Sequence, residues 1–454
     1  MTVGIAVAAH AAIGHRPALR HGAGRADEKA PAGPATVRMA SGKESRMAID
    51  IGGNVPAIAV LGTLDTKGDE AAFLAGRIRA QGHPSVLFDL GVAGEPTVEA
   101  DVTRTAIAEA AGLPLGTIHA MPRVEALEAV ARAARAILAP AVAAGRIAGL
   151  VGVGGGSGTW LCNTIMRDFP IGFPRLIVST AATHDASVDI AIMPSIADVA
   201  GLNRVLTPVL ANAAAAICGM VARPPLDGAA SRRPAVALTM YGLTTKGATY
   251  ARRMLEDEGF EVVVFHSNGA GGATMERLVD AGVFDAVLDW STTEVTDEIA
   301  GGVCSAGPGR LEAAGRRGIP QVIVPGGIDS INFLGDVPER MKGRPVHMHL
   351  PGIPLVRASA DDLAEVGAWM ARKLNAASGP VMVVVPEGGF SAHDARGGAF
   401  EDKDADAAFV AALRKDLRAE TPVVLVPDHI NTPDFARAAV DALTGLLRPA
   451  GARS

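Results

Sequence analysis

One passage occurs twice in this chain, and that repeat limits the fold more than any other feature. LGTLDTKG at 61–68 follows the apolar run Ala57–Val60, and YGLTTKG at 241–247 follows Ala235–Leu238. Each copy leads into a charged helical pattern that stops at a glycine, Gly82 or Gly259, and then into a second apolar run ending in Phe88-Asp89 or Phe265-His266. Further on, GFPRLIV at 172–178 matches GIPQVIV at 318–324. Two halves that both read strand, polar loop, helix, strand predict two Rossmann-like, doubly wound, mainly parallel α/β sheets related by internal duplication. Ligands of such sheets bind where loops leave the carboxyl ends of the strands.

With 454 residues the chain exceeds one domain. The expected layout is a tail over 1–46, an N-terminal α/β domain over 47–228, a C-terminal one over 234–447 and a short tail over 448–454. The first 46 residues are rich in Ala, Gly, Arg and Pro without a sustained period, as in a disordered tail or a start read too early. Net charge is −6 and no basic stripe appears, which argues against nucleic acid. No uninterrupted apolar run has membrane-spanning length. Cys162, Cys218 and Cys304 lie far apart and fit neither a disulfide framework nor a zinc pattern, so a reducing cytoplasm is expected.

The periodicity predicts first-half strands at Ala57–Gly62, Ser85–Leu90, Ile147–Val153 and Arg175–Ser179. Helices are expected at Asp69–Gln81, Val98–Ala111, Val124–Ala144, from about Trp160, and at Thr207–Val221. Second-half strands are expected at 235–240, 261–265, 285–289, 321–324, 380–385 and 422–426. Helices there are expected at 246–258, 273–281, 308–316, 361–375, 404–417 and 433–447.

The strongest local signal is Gly154-Gly155-Gly156-Ser157-Gly158-Thr159, placed after a strand and before a helix. Glycines admit close backbone approach, and a helix start favours an anion. No Gly-Lys-Ser/Thr follows, so this is not a Walker A loop; a tight turn without ligand would need the same glycines. Gly62-Thr63-Leu64-Asp65-Thr66-Lys67 leaves the first strand. Lys67 suits a phosphate and Asp65 suits Mg²⁺ or a ribose, although Thr66 would also serve as a plain N-cap. The second copy has Thr244 where Asp65 stands, which favours the first half as the nucleotide site. Asp89, followed by Gly91, sits where such folds hold a ribose. Ser179, Thr180, Ala181 and Thr183 leave another strand and would face the same crevice, with His184 beside them.

In the second half His266, Asp329, Glu387, Asp428 and His429 all follow strands and are candidate catalytic groups, suited to acid–base chemistry or a metal; scattered caps and turns would use the same residues. His347-Met348-His349 alternates as a strand does and sets both imidazoles on one face. Cys304 is weighed as a nucleophile, though a lone cysteine is more often a small core residue.

Taken together, LGTLDTKG, FDLG, GVGGGSGT, STAATHD, FHSNGAGG, PGGIDSINF, PEGGFSAHD and PDHINTPDF resemble the Tm-one-like ATP-binding family over about 47–447. The resemblance implies two Rossmann-like subdomains, ATP in the first at the loops named above, and homodimers. The expected protein is a cytoplasmic ATP binder with an interdomain cleft, acting with Mg²⁺ as an enzyme on a small polar metabolite. The alternatives are a non-catalytic nucleotide sensor that binds a protein partner, and an ATP-independent isomerase or hydrolase of a phosphorylated or carboxylated small molecule.

Overall fold

The computed structural model describes residues 36–39, 49–52, 55–181, 188–224 and 233–447. Most of the expected N-terminal tail, the linker residues 225–232, Thr183 with its neighbours and the C-terminal tail lie outside the described residues. The chain divides into two compact units, 1–165 with 195–221, and 166–194 with 222–454.

Strands β1 (Thr36–Met39) and β2 (Ile49–Gly52) form a separate antiparallel pair. Then come β3 (Ala57–Gly62), α1 (Leu64–Ala80), β4 (Ser85–Asp89), α2 (Arg104–Ala110), α3 (Leu115–Ala120), α4 (Arg123–Ala143), β5 (Ile147–Gly154), α5 (Gly156–Met166), β6 (Arg175–Ser179), β7 (Ala191–Pro194) and α6 (Leu206–Ala222). The first sheet has the order β4-β3-β5-β6-β7. Every residue of β3 and β4 is buried, as a parallel sheet covered on both faces requires.

The second sheet has the order β16-β15-β11-β10-β8-β9. Its elements are β8 (Ala235–Met240), α7 (Thr245–Asp257), β9 (Glu261–His266), α8 (Ala270–Asp280), β10 (Ala286–Ser291), α9 (Thr293–Ala300), α10 (Ala313–Arg317) and β11 (Gln321–Gly326). A small antiparallel sheet follows from β12 (Ser330–Asn332), β13 (Val346–Leu350) and β14 (Ile353–Arg357), in the order β12-β14-β13. The chain then returns through α11 (Ala360–Asn375), β15 (Val381–Pro386), α12 (Lys403–Asp416), β16 (Val423–Val426) and α13 (Pro433–Leu447).

Counted within each half, both sheets start second-first-third-fourth-fifth, and the second adds a sixth strand. The duplicated glycines keep their backbone as well as their letters. Gly82 and Gly259 end α1 and α7 with φ of 84° and 92°, while Gly172 and Gly318 precede the matched strands with 78° and 71°. A Cβ is strained in that region, so both copies need glycine there. Alternation along the strands divides the second core: Val236, Leu238, Leu288, Trp290 and Val324 face α7 and α13, whereas Ala237 and Val287 face α8 and α10.

One buried cation ties the second unit together. Arg310, 1% exposed, donates to Asp289 on β10 (2.7 Å), Glu294 on α9 (2.8 Å) and Glu276 on α8 (3.1 Å). Glu276 also accepts from the amides of Leu311 and Ala313, and Glu294 from those of Gly269 and Gly272. Burial pushes both glutamates toward holding a proton, and Arg310 opposes this. Removing the cation would leave these acids buried without a counter-charge. Arg310→Met is expected to cost about 3–5 kcal/mol, read as a lower midpoint in chemical denaturation; an unchanged midpoint would show that these acids are already neutral.

Candidate functional site

The order of the first sheet puts its switch point between β3 and β5, whose Leu61 and Gly152 are register partners. Both strands run directly into helices. Helix α1 starts at Leu64, five residues before the expected Asp69, with a non-helical turn at Lys67 (φ −133°, ψ 26°); α5 starts at Gly156, four residues before Trp160. The two polar segments read as loops are therefore largely first turns of helices.

The two helix starts differ in what already occupies them. At α1, Asp89 is 2% exposed and its Oδ1 accepts from the amides of Leu64 (3.2 Å) and Gly91 (2.9 Å). Its Oδ2 takes Arg104 Nε at 2.9 Å, and Arg104 also donates to the Gly94 carbonyl. Asp65 Oδ2 accepts from the amides of Ala93 and Gly94, both 3.2 Å. Thr97 closes over the same turn through the Leu64 carbonyl, and a Cβ on Gly68 would strike its hydroxyl. Lys67 Nζ donates to the Val199 carbonyl, and Glu70 accepts from the Gly201 amide at 2.6 Å. An internal carboxylate thus caps α1, and Asp65, Lys67 and Asp89 hold the loops around it.

At α5, Gly156 is exposed and Ser157 half-buried. A Cβ on Gly154 would lie 2.8 Å from Gly158 Cα, so the strand end and first helical turn need two glycines to approach. A Cβ on Gly156 would meet nothing within 4 Å. Thr159 is buried, its amide on the Gly155 carbonyl. The first amides of a helix have no partner within the helix. Arg123, the first residue of α4, reaches Ser157 Oγ with its guanidinium at 3.3 Å. Nothing in the sequence singled out this arginine, because 34 residues separate the two. Elsewhere, Ser179 Oγ closes a turn onto Ala181, with Thr180 exposed between them.

In the second unit several strand-end loops bond to one another. Leu243, after β8, accepts at its carbonyl from Ala392 N (3.0 Å) and Asn431 Nδ2 (2.9 Å). Gly247 N donates to Asn431 Oδ1 at 3.0 Å, and a Cβ there would collide with the Ile430 carbonyl. Gly388 N reaches Asp428 O, and Gly327 N reaches Phe390 O. The start of α7 is therefore overlaid by the chain's own loops.

Of the candidate acid–base residues, Asp329 and His429 both meet Ser391. Asp329 is fully buried and takes Ser391 Oγ at 2.7 Å, and His429 Nε2 lies 2.9 Å from the Ser391 carbonyl. Glu387 and His266 are exposed and Asp428 half-buried. The structure adds residues that the spacing did not single out: Tyr241, whose hydroxyl donates to Asn332 (2.9 Å); Asp297, which accepts from Asn332 N and Cys304 N (both 2.8 Å); and Asp394, which accepts from Phe390 N. Thr293 Oγ1, Asp329 Oδ1, Asn332 Nδ2, His393 Nε2 and Asp394 Oδ1 are buried without a hydrogen-bond partner among the described residues. Burial pushes Asp297 up to about 7 and raises Asp329 and Asp394; it lowers His393 and His429. Burial also raises the Cys304 thiol to about 12, opposite to what a nucleophile needs. Among the described residues no three or more His, Cys, Asp or Glu side chains are grouped to hold a metal, and no helix is long and apolar enough to cross a membrane.

Two family models cover nearly all of this architecture. Residues 56–225 match the N-terminal domain and 233–447 the C-terminal domain of Uncharacterised protein family UPF0261. The chain belongs to this family. A UPF0261 protein of Rhizobium meliloti is 40% identical over 86% of this chain and 99% of its own length, and one of Clostridium tetani is 36% identical over 86% and 98%. The ToMV susceptible protein tm-1(GCR26) of Solanum lycopersicum is 32% identical over 88% of this chain but 57% of the tomato protein.

The raised acids set a pH dependence. A folded carboxyl near 7 keeps a proton that the unfolded chain releases near 4. This stability is complete below the unfolded value and lost as pH rises through the folded one. Unfolding free energy is expected to fall from pH 5 to 7, and Asp297→Asn to flatten the slope by about 1.4 kcal/mol per pH unit. Urea titrations across that range check it; an equal slope in the variant would mean that Asp297 is ionised in the fold.

Proposed function

We propose that the first unit binds ATP with the phosphates at the start of α5. The observation that carries this reading is the contrast between helix starts. Asp89 fills that of α1, the loops 386–394 and 428–431 overlie that of α7, and at that of α5, beside a glycine pair, no carboxylate or loop among the described residues takes that place. Amides at a helix start and an adjacent guanidinium suit a polyphosphate. The family resemblance points to the same segment.

In this reading the residues chosen from sequence divide their work. Gly154, Gly155, Gly156, Ser157, Gly158 and Thr159 form the anion seat, and Arg123 supplies the cation first assigned to Lys67. Gly62, Thr63, Leu64 and Thr66 form the neighbouring wall, with Lys67, Asp89 and Gly91 holding it. Asp65 keeps Oδ1 free of amide donors and suits Mg²⁺ arriving with the nucleotide. Whether ATP is consumed depends on the second unit. There Asp297, Asp329 and Asp394 hold protons unusually well near strand ends, as acid–base chemistry on a small polar metabolite requires. That favours an enzyme over a passive sensor.

The test uses a substitution that the fold accommodates. At Gly156 a side chain has room, and an acid in a first helical turn is electrostatically favourable. Gly156→Asp should therefore fold normally while placing a carboxylate where phosphate would sit. Calorimetry with Mg-ATP is expected to show binding by the full chain, weakened at least about tenfold, or 1.4 kcal/mol, by Gly156→Asp and by Arg123→Ala. Equal binding by Gly156→Asp, or none by the unaltered chain, overturns the reading.

A further inference from the structure

Strand β13 wears its side chains the wrong way round for a free surface. Val346, Met348 and Leu350 alternate along it and are 46%, 55% and 54% exposed. The opposite face carries His347, whose ring centroid lies 4.0 Å from that of His393, and His349, next to Gly242. His347 is half-buried against His393 while His349 is exposed, and all three apolar chains are exposed on the face that an ordinary half-covered antiparallel sheet would bury. Leu334, 73% exposed, adds to the apolar surface near the turn after β13, since Gly335 N bonds to Gly352 O at 2.8 Å.

The backbone is open on the same strand. Among the described residues β13 pairs with β14 alone and forms the edge of its sheet. Arg357 N donates to Pro345 O at 2.9 Å, which makes that position a hydrogen-bonded pair. Bonding alternates along an antiparallel ladder, so Val346 and Met348, opposite Val356 and Pro354, turn their N–H and C=O outward. Proline opposite Met348 agrees, since it has no N–H to give. Natural edges are guarded by charge, proline or a bulge that turns them away. Residues 346–350 contain no charged side chain and no proline, and the one irregularity lies at the far end, between Met348 and Leu350.

What fits this edge is written in its sequence. Val-His-Met-His-Leu reads nearly the same in both directions about Met348. An antiparallel pairing centred there sets Met348 against Met348 of the partner subunit, Val346 against Leu350 of the partner subunit, and His347 against His349 of the partner subunit. A shift of one residue would set every apolar chain against an imidazole. Met348 has both backbone groups free, and two residues facing each other at a hydrogen-bonded position exchange both bonds. Self-complementarity of this kind is what a twofold interface demands. We propose that β13 is the homodimer edge of this protein, joining the small sheets of two copies across a twofold axis at Met348. The proposal rests on the strand alone and stands apart from the nucleotide reading.

Light scattering on the full chain over a dilution series tests it together with disulfide trapping. The unaltered protein is expected to be a dimer, and Met348→Lys a monomer with unchanged circular dichroism. On the axis two Met348→Cys residues would have Cα atoms about 5.5 Å apart, inside the disulfide range of roughly 4.4–6.8 Å. That variant is expected to give a covalent dimer on oxidation, and Leu334→Cys is not. A monomeric wild type, a dimer that survives Met348→Lys, or equal cross-linking of both cysteine variants overturns the proposal.

Discussion

Carboxylates buried in the parallel strands hold this architecture in place. A charge there is tolerated only when donors surround it, and buried arginines are among those donors in both units. Asp89 ends β4, accepts two amides and takes Arg104; Asp289, within β10, takes Arg310 together with Thr239 Oγ1. In the first unit this arrangement ties the end of β4 to the start of α1. In the second it links β10, α8 and α9. The loops beside these strands are fixed because these charges cannot be left alone.

The two halves share strand order and turn backbone, yet their crevices have diverged. The second sheet continues through β15 and β16, and loops 386–394 and 428–431 fold back over the start of α7. Asn431 and Ala392 then bond to backbone that a ligand would otherwise meet. The first sheet ends at its fifth strand, β7, and among the described residues no such loop covers the start of α5. One duplicated scaffold therefore carries a glycine-rich helix start in one half and a cluster of buried acids, an amide and histidines in the other.

Much of the fold was legible because period and punctuation agree in it. The apolar runs gave β3, β4, β5, β6 and β8 within about a residue, and Gly82 and Gly259 marked true helix ends. The sequence was less informative where tertiary bonds decide the outcome. Helices α1 and α5 begin earlier than their polar letters suggest, because Asp89 caps one and a glycine pair permits the other. Helix α9 was missed: its Thr293, Glu294, Thr296 and Asp297 look like a surface but are buried against Arg310, Ile328 and Asn332. β14 contains a proline, which reads as a break yet sits opposite Met348 where no N–H is needed. At the candidate site, the glycine loop was legible from composition. Arg123 and Asp297 were not, since only the fold brings them to their partners.

Hydrogen–deuterium exchange of the full chain with and without Mg-ATP addresses the central claim most directly, because it reports where the nucleotide sits. Protection is predicted in peptides covering 154–160 and the start of α4 around Arg123, with little change over 386–394 and 428–431. Protection confined to the second unit, with 154–160 unaffected, would contradict the assignment of the first unit as the nucleotide-binding half.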